Sequence, residues 1–455
     1  MFLLNRARVS CLLAALTCGL APAGIAAASS GASTERAAAT GTTERVSVDS
    51  DEAQLTSASR VPYVRPTTSG HGRYVTFQTY EPVTGSDNNN REDVVVRDRV
   101  LGTTEPVSVA GGRTRSGGGA TISTDGRYVA FLSDSSALVP DDDNGAYFDV
   151  FVRDRRTGEL TLVSTATDGT QRRVDSNEAV ISGDGSRVAF TTAARLSPAD
   201  DDTAPVDQPF NRLDVYVHNL ANGHTRLASV NARGANFTGP VGMGGMSYNG
   251  RLVGFSWGNS GRDRPDVPAG YYVRDMAKPG AKLIWREDLN IIGNQASGAP
   301  ALSGNGRFAA FASESQRLDA ESDFARDDVA RYDRRSGQLS LVSVGAGSAN
   351  ADGDSWGATL SHRGDRLSFA SDATNLVAGD DNDATDAFLL DLSADQMTLV
   401  SAAPDGSPGR GTSAFGGGVA ISADGLHVAF TSFAPDLVPG DTNGKHDVFL
   451  WTAFD

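Results

Sequence analysis

Cysteine is almost absent from this 455-residue chain, and both copies, Cys11 and Cys18, lie within residues 1–28. This segment has two arginines before an apolar run and ends in three alanines, the pattern of a secretory signal peptide whose apolar run is too short to span a membrane. We expect residues 1–28 to be removed on export, which places the protein outside the cytoplasm, secreted or in the cell envelope. Its remainder then has no disulfide, so burial of apolar side chains must stabilise it.

Basic residues are also scarce. The chain has 40 Lys and Arg against 56 Asp and Glu, and only three of the 40 are Lys. The signal peptide removes two arginines and no acid, so the net charge of −16 becomes 38 minus 56, or −18. This balance excludes nucleic acid and anionic membrane surfaces as expected partners, and we expect no membrane insertion. Residues 29–42 are small and polar, typical of a flexible linker.

A turn glycine followed by a short apolar run ending in Phe occurs seven times. Successive copies are 54 to 65 residues apart, a period suited to one four-stranded propeller blade. Each phenylalanine follows a small residue, which lets neighbouring sheets interdigitate. The phenylalanines are Phe77, Phe131, Phe190, Phe255, Phe311, Phe369 and Phe430.

The copy from Ile122 to Ser164 shows the whole unit, because turn signals divide it into short strand-like segments around a longer acidic loop. The last copy ends before its fourth strand, whereas Glu44–Ser47 matches the fourth-strand pattern. We therefore predict an all-β fold, a seven-bladed β-propeller of four-stranded antiparallel blades over residues 43–455. Its N-terminal strand completes the last blade and so closes the ring.

The repeated strings ISTDGRYVAF, DVFVRDRRTG and LVPGDTNGKHDVFL resemble the repeats of TolB-like, WD40-like propellers of the PD40 type. The resemblance covers nearly all of the chain after the signal peptide and implies the propeller fold. It implies little about activity, because such propellers serve as binding modules, as accessory domains of peptidases and as enzymes.

Acidic loops between the second and third strands share a spacing of Asp, Asn and Asp at relative positions 1, 3 and 7, with one residue inserted in the second copy. Oxygen ligands at this spacing suit Ca²⁺ as a stabilising ion, although no cofactor is required. The same residues also make Asx-turns, and the sequence leaves both interpretations open. The residues are Asp87, Asn89 and Asp93; Asp142, Asn144 and Asp149; Asp380, Asn382 and Asp386; and Asp441, Asn443 and Asp447.

Loops joining each fourth strand to the next inner strand should surround one mouth of the channel, and they are rich in arginine. Guanidinium groups bind carboxylates, and Trp356 in the fifth-to-sixth loop offers a stacking surface. An acidic peptide or protein, or an anionic saccharide, fits this mouth; ordinary solvated arginines paired with Asp are the alternative. The arginines are Arg60, Arg65, Arg113, Arg115, Arg172, Arg173, Arg233 and Arg410.

Catalytic patterns are few. Gly353–Gly357 matches G-x-S-x-G but lies in a loop between blades, without the strand-turn-helix setting that exposes a nucleophile. None of the six histidines falls in a predicted inner strand or mouth loop, which argues against a Ser-His-Asp triad. The sequence favours a non-catalytic, monomeric binding module with no catalytic residues. The alternative is a hydrolase or lyase on a peptide or saccharide, using Asp352 and Asp354 in the mouth loops.

Overall fold

The seven Gly-apolar-Phe segments form the second strands of seven four-stranded antiparallel sheets. The structure is a computed structural model that describes residues 41–55, 65–85, 87, 89–200, 213–237, 241–258, 268–286, 298–314, 318, 326–348 and 350–454. The predicted signal peptide and most of the predicted linker lie outside these ranges. Among the described residues, no helix is both long enough and apolar enough to cross a membrane.

Strands are labelled A to D from the channel outward within each blade. The described part of the chain begins with β1 (Gly41–Arg45), which is strand D of blade 7. Blade 1 has β2 (Thr67–Thr68), β3 (Tyr74–Thr79), β4 (Asp93–Asp98) and β5 (Thr103–Pro106), followed by a hairpin of β6 (Val109–Ala110) and β7 (Arg113–Thr114). Blade 2 has β8 (Gly118–Ile122), β9 (Tyr128–Ser133), β10 (Asp149–Asp154) and β11 (Glu159–Leu162). Blade 3 has β12 (Ser176–Ile181), β13 (Arg187–Thr192), β14 (Asp214–Asn219) and β15 (His224–Leu227).

The remaining blades follow the same order. Blade 4 has β16 (Val241–Met246), β17 (Leu252–Trp257), β18 (Gly270–Asp275) and β19 (Ala281–Arg286). Blade 5 has β20 (Ala301–Leu302), β21 (Phe308–Ser313), β22 (Asp328–Asp333) and β23 (Leu339–Leu341). Blade 6 has β24 (Ser355–Leu360), β25 (Arg366–Ser371), β26 (Asp386–Asp391) and β27 (Gln396–Leu399). Blade 7 has β28 (Val419–Ile421), β29 (His427–Ser432) and β30 (Asp447–Ala453). Single 3-10 turns follow β23 at Ala346–Ser348 and precede β28 at Phe415–Gly417.

The blades form a closed ring. Each A strand contacts the A strands of both neighbouring blades, so these seven strands surround a central channel. Backbone hydrogen bonds also join each A–B turn to the next around the whole circle. The N–H donors of this circle belong to Gly70, Thr124, Asp184, Tyr248, Asn305, His362 and Asp424.

Ring closure occurs as the sequence predicts. Strand β1 pairs with β30 in antiparallel register from Gly41 opposite Ala453 to Arg45 opposite Phe449. The strand begins at Gly41, two residues before the predicted start of the propeller. The edge of β30 is therefore covered, and the first and last described strands lie in one blade.

The core lies between the blades. All seven repeated phenylalanines are at most 2% exposed, and several stack on the aromatic residue opposite them in strand C, as Phe131 does on Phe151. The turn glycine has a steric role as well as a conformational one. Gly126 has φ 72°, and a Cβ there would lie 2.1 Å from Cδ2 of Tyr74 in the preceding blade. Glycine thus allows the blades to approach at this turn.

Candidate functional site

The B–C loops and the D–A loops lie on the same face of the ring, because successive strands run in opposite directions. They also contact each other. In blade 2, Asn144 Nδ2 donates a hydrogen bond to the carbonyl oxygen of Arg172 at 3.0 Å. In blade 6, Asn382 Nδ2 donates to the carbonyl oxygen of Gly409 at 3.0 Å. The acidic loops and the arginine-bearing loops therefore form one surface, called here the loop face.

The aspartate at position 7 of each acidic loop is the first residue of strand C and is buried. In blades 2, 3, 5, 6 and 7 this carboxylate accepts a hydrogen bond from a serine just after strand D, and the serine hydroxyl accepts one from the next backbone N–H of strand C. In blade 1 the equivalent hydroxyl, that of Ser108, has no hydrogen-bond partner among the described residues. In blade 2, Ser164 Oγ donates to Asp149 Oδ1 at 2.6 Å and accepts from Val150 N at 3.1 Å. The same serine–aspartate pair occurs as Asp214 with Ser229, Asp328 with Ser343, Asp386 with Ser401, and Asp447 with Ser47.

The asparagine at position 3 has its amide nitrogen directed at this buried carboxylate. Asn89, Asn144, Asn382 and Asn443 donate to Asp93, Asp149, Asp386 and Asp447 at 2.8 to 3.0 Å. The side-chain oxygens of Asn89, Asn382 and Asn443 accept hydrogen bonds from backbone N–H groups two residues later, the Asx-turn arrangement. These contacts are the Asx-turn role, one of the two interpretations that the sequence leaves open for these residues.

The aspartate at position 1 differs between blades. In blade 7, Asp441 Oδ1 accepts a hydrogen bond from Gln54 Nε2 at 2.8 Å. In blade 1, burial raises the pKa of Asp93 to about 8, and the neighbouring charge of Asp87 adds to the rise. Asp142 and Asp380 each keep a buried Oδ1 with no hydrogen-bond partner in the described part of the chain.

Burial also governs the protonation of these groups. Desolvation raises the pKa of Asp142 and of Asp380 to about 6 and that of Asp386 to about 7. No group of three or more His, Cys, Asp or Glu converges on one point among the described residues. Any ion in these loops would therefore depend on one or two carboxylates together with amide or carbonyl oxygens.

The predicted arginines fall in different places. Arg172 and Arg410 lie on the loop face, where Arg410 Nε is 3.4 Å from Asp436 Oδ2 and Arg172 Nε is 3.4 Å from the carbonyl oxygen of Arg195. Arg173 is also exposed, and Arg115 is half-buried in the loop after blade 1. Arg60 lies outside the described residues.

Two other arginines lie on hairpins that lean outward. Exposed Arg113 belongs to the β6–β7 hairpin, whose Val109 carbonyl accepts from Arg153 in strand C of blade 2. Exposed Arg233 belongs to the loop in which Val230 accepts a backbone hydrogen bond from Ala281, at the start of outermost strand β19. The structure thus places these loop segments against outer strands of the next blade, away from the inner strands.

The side chains that the sequence offers for catalysis make structural hydrogen bonds. Asp352 accepts from the backbone N and the Oγ1 of Thr374, and Asp354 Oδ1 accepts from the backbone N of Asp327. Ser355, in the G-x-S-x-G match, is fully buried with its Oγ 2.8 Å from Ser371 Oγ. These side chains fasten loops to one another, and Ser355 is not placed as a nucleophile.

The channel carries a carboxylate that the sequence analysis missed. Glu178 lies on innermost strand β12, at a bulge where it adopts φ 46°. The equivalent residues in blades 2 and 6 are Gly119 and Gly357, with φ 58° and 67°. The same register, seven residues before the turn glycine, holds Arg65 in blade 1. In the sequence this register has a charged residue only in blades 1 and 3, and that contrast with the other repeats could have identified Arg65 and Glu178.

Glu178 and Arg65 are both exposed. Glu178 Oε2 accepts a hydrogen bond from the backbone N of Met243 in the next blade at 3.2 Å. Desolvation raises the pKa of Glu178, while that hydrogen bond and the charge of Arg65 oppose the rise. A desolvated carboxylate beside a guanidinium in a cleft is a typical feature of functional sites.

An aromatic side chain, Trp356, lies near Arg65. A Cβ on Gly417 would lie 3.1 Å from Arg65 Nη2 and 3.4 Å from Trp356 Cδ1, so the guanidinium and the half-buried indole flank this glycine. Phe415, two residues before it, is 40% exposed. The residues Arg65, Glu178, Trp356 and Phe415 are called here the channel site.

No family model matches the chain, and no curated protein matches it in sequence. Among solved structures it is similar to an oligogalacturonate lyase in complex with manganese, with TM-score 0.53, 10% identity, and 93% of this chain and 96% of that chain covered. It is also similar to the β-propeller domain of the Trilobed protease from Pyrococcus furiosus, with TM-score 0.49, 10% identity, and 85% of this chain and 94% of that chain covered. A putative TolB from Agrobacterium tumefaciens is similar with TM-score 0.39, 14% identity, and 78% of this chain and 94% of that chain covered. The similarity to the lyase supports the propeller fold alone.

Proposed function

We propose that this seven-bladed β-propeller is an exported, monomeric binding module that holds an anionic saccharide in the channel site. The observation that carries the proposal is Glu178, a charged residue with a left-handed backbone at a register where glycines, Gly119 and Gly357, have that backbone in two other blades. Such strain persists where the surrounding structure enforces it, and it is concentrated at functional sites. Export rests on the predicted signal peptide.

The chemistry of the channel site suits an acidic sugar. The guanidinium of Arg65 can bind a uronate carboxylate, because it presents paired donors at the spacing of two carboxylate oxygens. The Trp356 indole and the exposed Phe415 ring offer flat apolar surfaces for the face of a sugar ring. Glu178, already held by Met243 N, can accept hydrogen bonds from sugar hydroxyls. An acidic peptide is the competing ligand, since it shares the carboxylate but gains less from stacking.

One observation favours an enzyme as the second candidate. The pKa of Glu178 is raised by desolvation, which moves a carboxyl group toward the range in which it can act as a general acid or base. The similar lyase structure makes oligogalacturonate a suitable probe for both candidates. Calcium binding by the acidic loops is a separate proposal, because it depends on residues outside the channel.

Binding is tested by isothermal titration calorimetry with oligogalacturonates, neutral cello-oligosaccharides and poly-glutamate. We expect binding of the uronate only, with loss of at least tenfold in affinity for Arg65→Ala and Trp356→Ala. Arg113→Ala is the matched control, because Arg113 is an exposed arginine on an outward-leaning hairpin. Equal losses in the Arg65 and Arg113 variants would show non-specific charge attraction and contradict the channel site.

The same samples distinguish binding from catalysis. Formation of new reducing ends or unsaturated uronate, lost in Glu178→Gln, would assign the enzyme. Tight binding with the oligosaccharide recovered intact would assign the binding module. Absence of uronate binding combined with binding of poly-glutamate would replace the saccharide with an acidic peptide.

A further inference from the structure

Several blades have the two aspartates at positions 1 and 7 of the acidic loop, but the blades differ in which side chain lies between the two carboxylates. In blade 7, a single amide nitrogen lies there. Gln54 Nε2 donates to Asp441 Oδ1 at 2.8 Å and to Asp447 Oδ2 at 2.9 Å. Arg45 Nη1 approaches Asp441 as well, at 3.8 Å. This pair of carboxylates is satisfied by hydrogen-bond donors of the protein itself.

Blade 3 uses the same device. Asn236 Nδ2 donates to Asp200 Oδ1 at 3.2 Å and to Asp214 Oδ2 at 3.1 Å. Gln54 and Asn236 hold equivalent positions, each seven residues after the serine of the serine–aspartate pair. Each also closes its D–A hairpin, in the bridges Val48 to Gln54 and Val230 to Asn236. This hairpin position is called here the bridging position.

Blade 6 has no donor at the bridging position. The residue there is Pro408, in the bridge with Ala402, and proline has no side-chain donor. Asp380 is 7% exposed, its Oδ1 has no hydrogen-bond partner in this fully described blade, and its charge acts on the fully buried Asp386. Two buried carboxylates thus lie close together without the amide that joins their counterparts in blades 3 and 7.

Blade 2 also has no amide donor joining its two aspartates, although its bridging residue is a glutamine. Its bridging residue, Gln171, turns toward the backbone of the acidic loop, where its Nε2 donates to the Asp141 carbonyl and its Oε1 accepts from Asp143 N at 3.2 Å. Asn144 is 6% exposed, and its Oδ1 has no partner. The buried Asp142 Oδ1 has none either, and Asp149 lies near enough to act on its charge.

We propose that blades 2 and 6 each bind one divalent cation of the calcium class between these aspartates, in the place that the Asn236 and Gln54 amides occupy in blades 3 and 7. The available donors are all oxygens, with no His or Cys, which suits a hard cation. Loss of hydration from a buried anionic oxygen is costly unless a donor or a cation replaces the water. A cation would supply that replacement where the protein has no amide.

The sequence indicates four loops as candidate calcium sites, and the proposal retains only those of blades 2 and 6. Blade 7 is excluded because Gln54 already donates a hydrogen bond to each of its two aspartates. Blade 1 is excluded because its bridging residue is the cationic Arg115. The inference is independent of the ligand proposed for the channel, because none of these groups belongs to the channel site.

The test is calorimetric titration of the metal-free full chain with CaCl₂, with MgCl₂ as the comparison. We expect two calcium sites with dissociation constants of about 10⁻⁵ to 10⁻³ M. At roughly 100-fold excess over the dissociation constant, calcium should raise Tm by about 5 °C. Absence of binding heat together with an unchanged Tm in excess chelator would overturn the proposal.

Two variants of one residue test the equivalence of amide and cation. Pro408→Gln places the blade 7 amide in blade 6, so the titration should show one site and the chelator should lower Tm by about half as much. Pro408→Ala removes the proline without adding a donor and should retain both sites. Equal loss in the two variants, or two sites in both, would overturn the amide's role. Should Pro408→Gln fail to fold, Asn144→Leu in blade 2 provides the second test, with one remaining site expected and two sites contradicting the assignment.

Discussion

The turn glycine of each blade offers a quantitative test of how the ring is packed. Gly126→Ala introduces two separate penalties. The first is conformational, because φ 72° is left-handed and costs an alanine about 1 to 2 kcal/mol. The second is steric, because the new Cβ would lie 2.1 Å from Tyr74 Cδ2. The tyrosine ring cannot move freely, since the guanidinium of Arg155 lies 4.3 Å from its centroid and that of Arg73 lies 4.8 Å away.

Gly158→Ala isolates the first penalty. Gly158 has φ 77°, but a Cβ there meets nothing within 4 Å. Overpacking costs about 1 to 3 kcal/mol, and replacing glycine recovers about 0.4 to 1 kcal/mol through the unfolded chain. We therefore expect losses of about 0.5 to 1.5 kcal/mol for Gly158→Ala and about 2 to 4 kcal/mol for Gly126→Ala.

The assay is differential scanning calorimetry of both variants beside the parent protein. For a domain of this length, about 1 kcal/mol lowers Tm by roughly 1 °C, so the variants should differ by about 2 °C. A Gly158→Ala variant that loses as much stability as Gly126→Ala would refute the reasoning, since it would mean that strain alone accounts for the glycine. Equal and negligible effects would refute the close approach of the blades.

Acid should destabilise the fold through buried His218, because desolvation lowers its pKa to about 4 and the unfolded state therefore takes up the proton first. The contribution of neutral His218 to the free energy of unfolding is complete above about pH 6.5 and falls by about 3 kcal/mol as the pH drops to 4. The variant His218→Gln should lack this part of the fall when the free energy of unfolding is measured by circular dichroism. A pH profile identical to that of the parent protein would contradict the prediction. Glu178→Gly should be more stable than Glu178→Ala by about 1 kcal/mol, because only glycine relieves φ 46°, and calorimetry giving the reverse order would rule out the left-handed backbone. Deleting residues 29–47 should leave the edge of β30 unpaired and produce aggregates in light scattering, whereas deleting residues 29–40 should leave a monomer; aggregation of both would assign the effect to the linker.

The architecture could be predicted from sequence because its signals are local and repeated. Phe131 and its six counterparts mark strands that are apolar on both faces, and such strands must be covered by neighbouring sheets. Glu44–Ser47 carries the pattern of a missing fourth strand, and the structure places Glu44 and Arg45 in β1 against β30. Spacing and composition were enough to predict seven blades and closure by the N-terminus.

The candidate sites depended on contacts that no local pattern contains. The loops at Asp380 and Asp441 have the same spacing, yet Asp441 receives a hydrogen bond from Gln54, 387 residues away, whereas Asp380 faces a loop with Pro408 at that position. Arg65 and Glu178 act on each other across the channel although they are 113 residues apart in sequence (178 minus 65). The sequence alone determined which strands form and how they repeat, because backbone pairing and apolar burial follow local order. Only the tertiary structure decided which carboxylates have donors, because a side chain's partners come from whichever blade and hairpin the closed ring brings beside it.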